Sequence, residues 1–526
     1  MEQHGSESYF VVDEGLLGES GDGRAGGDGT GTIRLAQAPA PPFRFSRMGP
    51  NGVNRQPGEP LRKKLGAAMT QGGGGGSRIP AGFTYLGQFV DHDLTFDKTT
   101  VMLGQHVSPA VMLQARSPSL DLDSLYGAGP SEPESARFYD ADGLHFKLGR
   151  TVAAGDDAAR DGFDLPRGAG STANARRKAI IPDKRNDENL AVAQTHLALM
   201  RFHNRVVDSL PASADRFAQA RELVTKHYQW MLKSDYLPRI CATRIVNDVF
   251  RHGRKAFEAG AAPTDVPTMP LEFSVAAFRL GHAMIRRAYN WNRRFDAGSG
   301  TLDLLFFFSG TSGPLGGERR LPSNWIADFR RLYDFREAGR DDLVVPAAKF
   351  NRAMRIDTTL VNPLANLPQG SIGGPQVPFG DPRANLAFRN LTRARMVRLA
   401  TGQQMVTFLR SRGVTLRKLT KAQIREGDGG AQLDGLTGTQ RDKLLTDTPL
   451  WFYILREAET DGGRLRAVGG RVVAETFHRA MEGSTASIVR DPAWRPTLGP
   501  DANTFRMVDL LLFAFEGKKA LLAPLG

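Results

Sequence analysis

The stretch ENLAVAQTHLALMRFHNRVVDSL, residues 188–210, constrains the fold more than any other. Val192, His196, Leu199, His203, Val206 and Leu210 recur every three or four residues, the spacing of one apolar stripe on a long α-helix. The segment FSVAAFRLGHAMIRRAYNW repeats the pattern through Val275, Phe278, His282, Ile285 and Tyr289, which predicts a second helix with His282 in the middle of its apolar face. Further helices are expected over 215–237, closed by Pro238, and over 384–400, 403–412 and 471–481. Alternating apolar and polar runs are few and no internal repeat is visible, so the fold class is mainly α with little β.

The first 79 residues read differently. GESGDGRAGGDGTGT, APAPP and QGGGGGS cannot bury enough apolar surface to offset chain entropy. Residues 1–79 are therefore expected to be a flexible Gly- and Pro-rich segment, with 15–32 mobile and 71–77 a tether. A length of 526 residues by itself allows two or three domains. No apolar run reaches the roughly 18 residues of a membrane span, and MEQHGSESYFVVDEG lacks the basic and apolar regions of a secretory signal. The single cysteine, Cys241, excludes an internal disulfide and a Cys-based metal cluster. A reducing, cytoplasmic compartment is the default expectation, with unconventional secretion as the alternative. The net charge of +13 is spread through short Arg clusters such as Arg286–Arg287 and Arg293–Arg294. With no run of five basic residues and no zinc-finger or helix-turn-helix spacing, nucleic acid is not the expected partner.

Three places could carry chemistry. GQFVDHDLTFD, residues 87–97, sets Asp91, His92 and Asp93 side by side, and three adjacent side chains cannot share one face of a regular element. Each is expected to serve a different partner. His282, on an apolar face beside Gly281, is either a hydrogen-bonded core histidine or a proximal haem ligand, with the glycine leaving room for a flat body to approach the backbone. His196 and His203, seven apart on one face, are either core residues or metal ligands.

Five segments in order carry a resemblance. GQFVDHDLTFD resembles the distal-histidine signature of the animal-type haem peroxidases of the peroxidase–cyclooxygenase superfamily. SPSLDLDSLYG, from Ser117, resembles their calcium loop, and RNDENLAVAQTHLALMRFHNR resembles the stretch that carries the distal arginine and, three residues on, a haem-linked glutamate. FRLGH resembles the proximal-histidine segment, and NLTRAR the NxxRxR stretch whose asparagine supports that histidine. The match spans about residues 80–515, and WFYILRE, VGGRVVAETF and WRPTLGP are similar to the bacterial branch. The resemblance implies one large helical domain over 80–526, with haem b between a distal and a proximal helix.

It also implies roles. His92 would act as general base and then general acid toward hydrogen peroxide, Arg185 would stabilise the charge growing on the departing oxygen, and Gln88 would hold water or peroxide. His282 would ligate the iron and donate its second ring N–H to Asn390. Arg279 would pair with a haem propionate, and Arg393 would belong to the haem-binding set. Asp93, Ser117, Ser119, Asp121 and Asp123 would supply oxygen ligands to calcium. The family pattern TxFxDxS has become SPSLDLD, which makes Asp123 the fourth ligand. Asp91 and Glu188 stand where mammalian members form ester bonds to haem methyl groups.

Departures sharpen the expectation. Asn189 stands where some members carry a methionine linked to a haem vinyl group, so that link is absent. In the cyclooxygenase and α-dioxygenase branches a tyrosine three residues before the proximal histidine becomes the fatty-acid-attacking radical, and here that position is Arg279. The expected function is a haem peroxidase that oxidises small reductants, halide or thiocyanate. The alternatives are a fatty-acid dioxygenase of the same fold and a non-catalytic haem-binding or adhesion protein. Retention of His92, Arg185 and Gln88 argues against the latter, because binding haem needs only the proximal half.

Overall fold

The computed structural model describes residues 43–526 except 73, 100, 102, 169–170 and 368–377. The expected mobile stretch 15–32 lies outside the described residues. Ten of the eleven helices of eight residues or more among the described residues carry the fold: α1 (Glu59–Met69), α2 (Gly82–Leu94), α3 (Leu190–Ser209), α4 (Arg216–Met231), α5 (Thr243–His252), α6 (Leu386–Met396), α7 (Gly402–Ser411), α8 (Leu450–Glu459), α9 (Val468–Glu482) and α10 (Met507–Ala514). The eleventh, the nine-residue helix Gly438–Thr446, lies outside the site. Strands are short and occur, among the described residues, only as two-stranded pairs.

The apolar stripe over 188–210 becomes α3, begun by Asn189, whose side-chain oxygen accepts the Val192 N–H at 2.9 Å. Against it pack α2, α4 and α10. Helix α2 is buried on nearly every side: Asp91 is 5% exposed, and His92 and Asp93 are 0%. Burying an unpaired ionisable group is costly, so each of the three needs a partner.

Three expectations change. Residues 43–79 are built into the domain: Phe45–Ser46 pairs in parallel with Met269–Pro270, α1 buries Leu61, Leu65 and Met69 against α6, and Gly76–Pro80 pairs with Arg352–Met354. Gly and Pro density obscured the stripe of α1. The helix expected through His282 is broken into single turns at Leu271–Ser274, Ala277–Leu280 and Gly281–Met284. One cause is local: the Arg279 guanidinium Nε takes the Ser274 carbonyl at 3.0 Å, and Trp451 Nε1 donates to the Arg279 carbonyl at 3.3 Å. These acceptors go to side chains instead of a continuing helical ladder. Third, Pro238 does not close the helix after 215. A π-type turn over Leu232–Tyr236 leads into Leu237–Ile240, with Pro238 in its first turn, where a missing N–H costs nothing.

Candidate functional site

Helix α2 packs against the turn Gly281–Met284, which brings the His92 and His282 segments together. On the α2 side a chain of buried polar groups runs inward. His92 Nδ1 lies 2.8 Å from Asn186 Oδ1, and Asn186 Nδ2 lies 3.0 Å from His196 Nδ1. The Asn186 amide thereby fixes both rings: its oxygen accepts the His92 Nδ1–H, and its NH2 donates to a bare His196 Nδ1. Burial drives His196 down to about 3, which keeps it neutral. The lone pair of His92 is left on Nε2, which stands 3.5 Å from Glu188 Oε1.

Gln88 lies one turn before His92 and donates from Nε2 to Glu188 Oε1 at 2.5 Å, while its Oε1 accepts from Asn189 Nδ2 at 2.8 Å. It thus braces Glu188, whereas the resemblance assigned it to water or peroxide. Asn189, where a methionine was noted as missing, caps α3 and holds Gln88. Arg185 Nη2 donates to the His92 and Thr95 carbonyls at 2.9 and 2.6 Å and to Asp183 Oδ2 at 2.8 Å, and its guanidinium sits 4.4 Å from the Phe96 ring centre. Burial alone would raise the Asp183 carboxyl, but the Arg185 and Arg116 charges outweigh it and hold the group far below the usual range. Arg185 therefore pins the end of α2. Asp91 accepts from Thr95 Oγ1 at 3.3 Å.

The second side is built around His282, which is 2% exposed. Its Nδ1 lies 2.8 Å from Asn390 Nδ2, and Asn390 Oδ1 accepts from Arg279 Nη1 at 2.9 Å. The sequence had predicted the amide oxygen at His282, and the structure presents the NH2. A guanidinium can only donate, so Arg279 claims the oxygen. Arg279, expected at a propionate, donates to Asn390 and to the Ser274 carbonyl. Arg393 pairs with Asp97. The Trp451 ring stands edge-on to His282, with ring centres 6.2 Å apart.

The calcium candidates spread along one loop. Asp93 Oδ1 accepts from Ser124 N and Oγ, both at 3.1 Å; Asp121 Oδ1 accepts from Thr485 N at 2.9 Å; and Asp123 lies 3.6 Å from Arg221. Ser117 Oγ accepts from Ser119 N at 3.2 Å, and Ser119 Oγ donates to the Gly483 carbonyl at 3.2 Å. Among the described residues no three acidic, His or Cys side chains converge on one point. Burial, then the Asp123 charge, pushes Asp93 up to about 7 and Asp121 up to about 6. Asp93 Oδ2 is buried with no hydrogen-bond partner. His196 and His203 go to separate partners, His196 to Asn186. His203 meets Tyr126 Oη at 3.0 Å and the Leu144 carbonyl at 2.9 Å, a core role.

Sequence reasoning passed over Asn186, Asp183, Asp97 and Trp451. Asn186 lies inside the RNDE run already singled out, and its position beside Arg185 was the available signal. Trp451 had been quoted within WFYILRE without a role.

Residues 91–311 match the family described as animal haem peroxidase. Thyroid peroxidase of Rattus norvegicus is 29% identical over 191 residues, 34% of this chain and 20% of that protein, and heme peroxidase 2 of Caenorhabditis elegans is 26% identical over 179 residues, 32% of this chain and 23% of that protein. The chain thus aligns with about a fifth of the length of these relatives. Among solved structures, peroxidase A from Dictyostelium discoideum superposes with a TM-score of 0.52 at 16% identity over 92% of this chain and 93% of that one. Fatty acid alpha-dioxygenase of Arabidopsis thaliana superposes with a TM-score of 0.55 at 10% identity, over 89% and 75% of the two chains. These two likenesses show a shared, mainly helical fold. The matched segment, 91–311, holds Asp91, His92, Arg185, Glu188 and His282, so that this part of the chain is similar to the animal haem peroxidase family.

Proposed function

We propose that the protein is a haem peroxidase that reduces hydrogen peroxide and oxidises small electron donors, halide and thiocyanate among them. One observation carries the reading: on each side of the site a buried histidine has its Nδ1 held by an asparagine amide at 2.8 Å, which leaves the chemistry to the two Nε2 atoms. The residues fit haem b. His282 would be the iron ligand, and a Cβ added at Gly281 would meet no atom within 4 Å, so the backbone beside the ligand is open to a flat group. Haem, when bound, supplies the iron redox chemistry.

The chain supplies the proton traffic. With Nδ1–H committed to Asn186, His92 Nε2 takes a proton from the inner oxygen of peroxide and returns it to the outer oxygen, which leaves as water. Glu188, braced by Gln88, lies beside that atom, and Arg185 adds fixed positive charge behind it. Ligation through His282 Nε2 calls for the ring proton on Nδ1. The Asn390 amide must then turn its oxygen to His282, and Arg279 must give that oxygen up and become available to another anion, such as a propionate.

Calcium belongs to this reading. The orphaned Asp93 Oδ2 and the Asp123 charge, which raises both Asp93 and Asp121, favour a hard cation at this loop, and Ser117 and Ser119 offer further oxygens. So does covalent attachment through Asp91 and Glu188, which are 5% and 1% exposed and costly to keep charged beside an apolar ring. Each ester would replace a methyl C–H by C–O, with one peroxide accepting the two electrons. Acid–organic extraction with mass spectrometry tests it: haem stays on peroxide-treated protein and is released from the Asp91→Val, Glu188→Gln double variant. The fatty-acid alternative is tested by oxygen uptake with linoleate in the absence of peroxide, where none is expected because Arg279 replaces the radical tyrosine.

A further inference from the structure

Away from the two histidines, a cavity of about 620 Å³ opens between the start of α5, the loop 414–417 after α7 and the residues leading into α9. Its lining includes Arg244, Lys255, Arg417, Arg466 and Arg471, against a single carboxylate, Asp248. Asp248 is already spoken for: Arg471 Nη2 donates to it at 2.6 Å. None of Arg244, Lys255, Arg417 or Arg466 makes an ion pair among the described residues; Arg244 donates to the Arg466 carbonyl at 3.2 Å and Lys255 to the Gly413 carbonyl at 3.4 Å. Four cations without a direct ion pair around one hollow raise the local concentration of anions. The remaining walls are mainly apolar, formed by Ile245, Val414, Leu416 and Ala467 with Thr415. Apolar walls with a few fixed polar groups, in a volume of this order, suit an organic ligand. The combination selects an anionic aromatic molecule over a bare inorganic ion.

The cavity is tied to the proximal side by one helix. Tyr453 of α8 accepts the Leu419 N–H on its hydroxyl at 2.8 Å, two residues beyond Arg417. Glu457, one turn on, accepts the Val468 N–H at 3.0 Å, directly after Ala467 of the lining. At the near end of the same helix Trp451 stands edge-on to His282, and its indole N–H rests on the Arg279 carbonyl. A two-residue step along α8 therefore separates Tyr453, which holds the segment that follows the cavity loop, from the ring at the proximal histidine.

We propose that this cavity docks an anionic aromatic reductant and that Tyr453 and Trp451 carry its electron to the proximal face. The inference rests on the haem-peroxidase reading. With haem bound, Trp451 would supply one of the electrons that the reduction of peroxide requires, keeping its ring proton on the Arg279 carbonyl. The docked donor refills Trp451 with one electron, Tyr453 lying between them, and leaves in its one-electron-oxidised form. Two donors supply the two electrons that, with two protons from water, reduce one hydrogen peroxide to two water molecules.

The test uses the full-length, haem-loaded protein and two donors, the disulfonate ABTS and neutral guaiacol. Calorimetry without peroxide should show ABTS binding that weakens at least tenfold in an Arg417→Glu, Arg466→Glu double variant and less in the milder Gln pair. In turnover the Glu pair should raise KM for ABTS by a similar factor and leave guaiacol unchanged. Trp451→Phe should retain ABTS binding yet lower the ratio of ABTS to guaiacol turnover at least tenfold, and it should abolish a tryptophan radical signal that peroxide generates and ABTS quenches in the unaltered protein. Equal ABTS binding by the charge variants, or an unchanged turnover ratio in Trp451→Phe, overturns this inference alone. Failure of the unaltered protein to turn over guaiacol overturns the peroxidase reading and the electron route with it.

Discussion

The two histidine sites use the same part with opposite polarity. At His92 an asparagine amide presents its oxygen to Nδ1, and at His282 an asparagine amide presents its NH2, both at 2.8 Å. The difference lies at the far end of each amide. Asn186 has a neutral imidazole behind it, His196, which accepts; Asn390 has the Arg279 guanidinium, which can only donate. The distal ring is thereby fixed with a basic Nε2, ready for proton transfer. If His282 Nε2 were to ligate haem iron, the Asn390 amide would turn its oxygen to Nδ1 and Arg279 would lose that acceptor. A second partner two bonds away from the imidazole decides what the imidazole does.

Removing each ring tests the contrast most strongly. His282→Ala should lose or misligate haem, whereas His92→Ala should keep it and slow the reaction with peroxide by about 10²–10⁴. Rapid-mixing spectra measure the second effect, and unchanged rates in His92→Ala and Arg185→Ala together would remove the distal assignment. Next come the amides. Asn186→Leu leaves two buried rings without their shared partner, at about 1–3 kcal/mol, and should slow the peroxide reaction while shifting its pH profile. Asn390→Asp gives Arg279 a carboxylate to pair with and leaves a second oxygen for the His282 N–H. The reduction potential should fall, and a rise would mean that Asn390 is not the partner.

Metal removal is the third test. If calcium joins Asp93 to the 117–123 loop, chelation should lower the unfolding temperature and added calcium restore it, with no response in Asp93→Ala. The smallest effect concerns Glu457, whose carboxyl burial pushes up to about 8 from a usual 4.5. The folded state holds this proton more tightly than the unfolded one, so the contribution is complete below about pH 4.5 and is lost as pH rises toward 8. Thermal unfolding followed across that window should flatten in Glu457→Gln. A steeper slope in the variant would mean that the group is ionised in the fold.

The same contrast explains what could be read from sequence. Helix α3 was legible because its apolar period is regular over 20 residues and Asn189 supplies a cap. Asp91, His92 and Asp93 could be sent to different partners, since adjacent side chains on a helix point about 100° apart. His282 had the same apparent period, yet its segment forms separate turns because the carbonyls of Ser274 and Arg279 are taken by Arg279 and Trp451 side chains. Trp451 reaches the Arg279 carbonyl from 172 residues away in sequence, which no local pattern encodes. Asn186 escaped for a similar reason, as its value lies in joining His92 and His196 across three elements. Helix α1 was hidden by its Gly-rich flanks, and its order comes from burial against α6.

The central claim is that His282 holds a haem iron while His92 works on the other face. An absorption spectrum of the haem-loaded protein, recorded before and after one equivalent of hydrogen peroxide, tests it most directly. The account predicts a Soret band that shifts on peroxide addition and returns when a reductant follows, with the band lost in His282→Ala and retained, but slow to respond, in His92→Ala. An unaltered protein that binds no haem, or a band unaffected by His282→Ala, would contradict it.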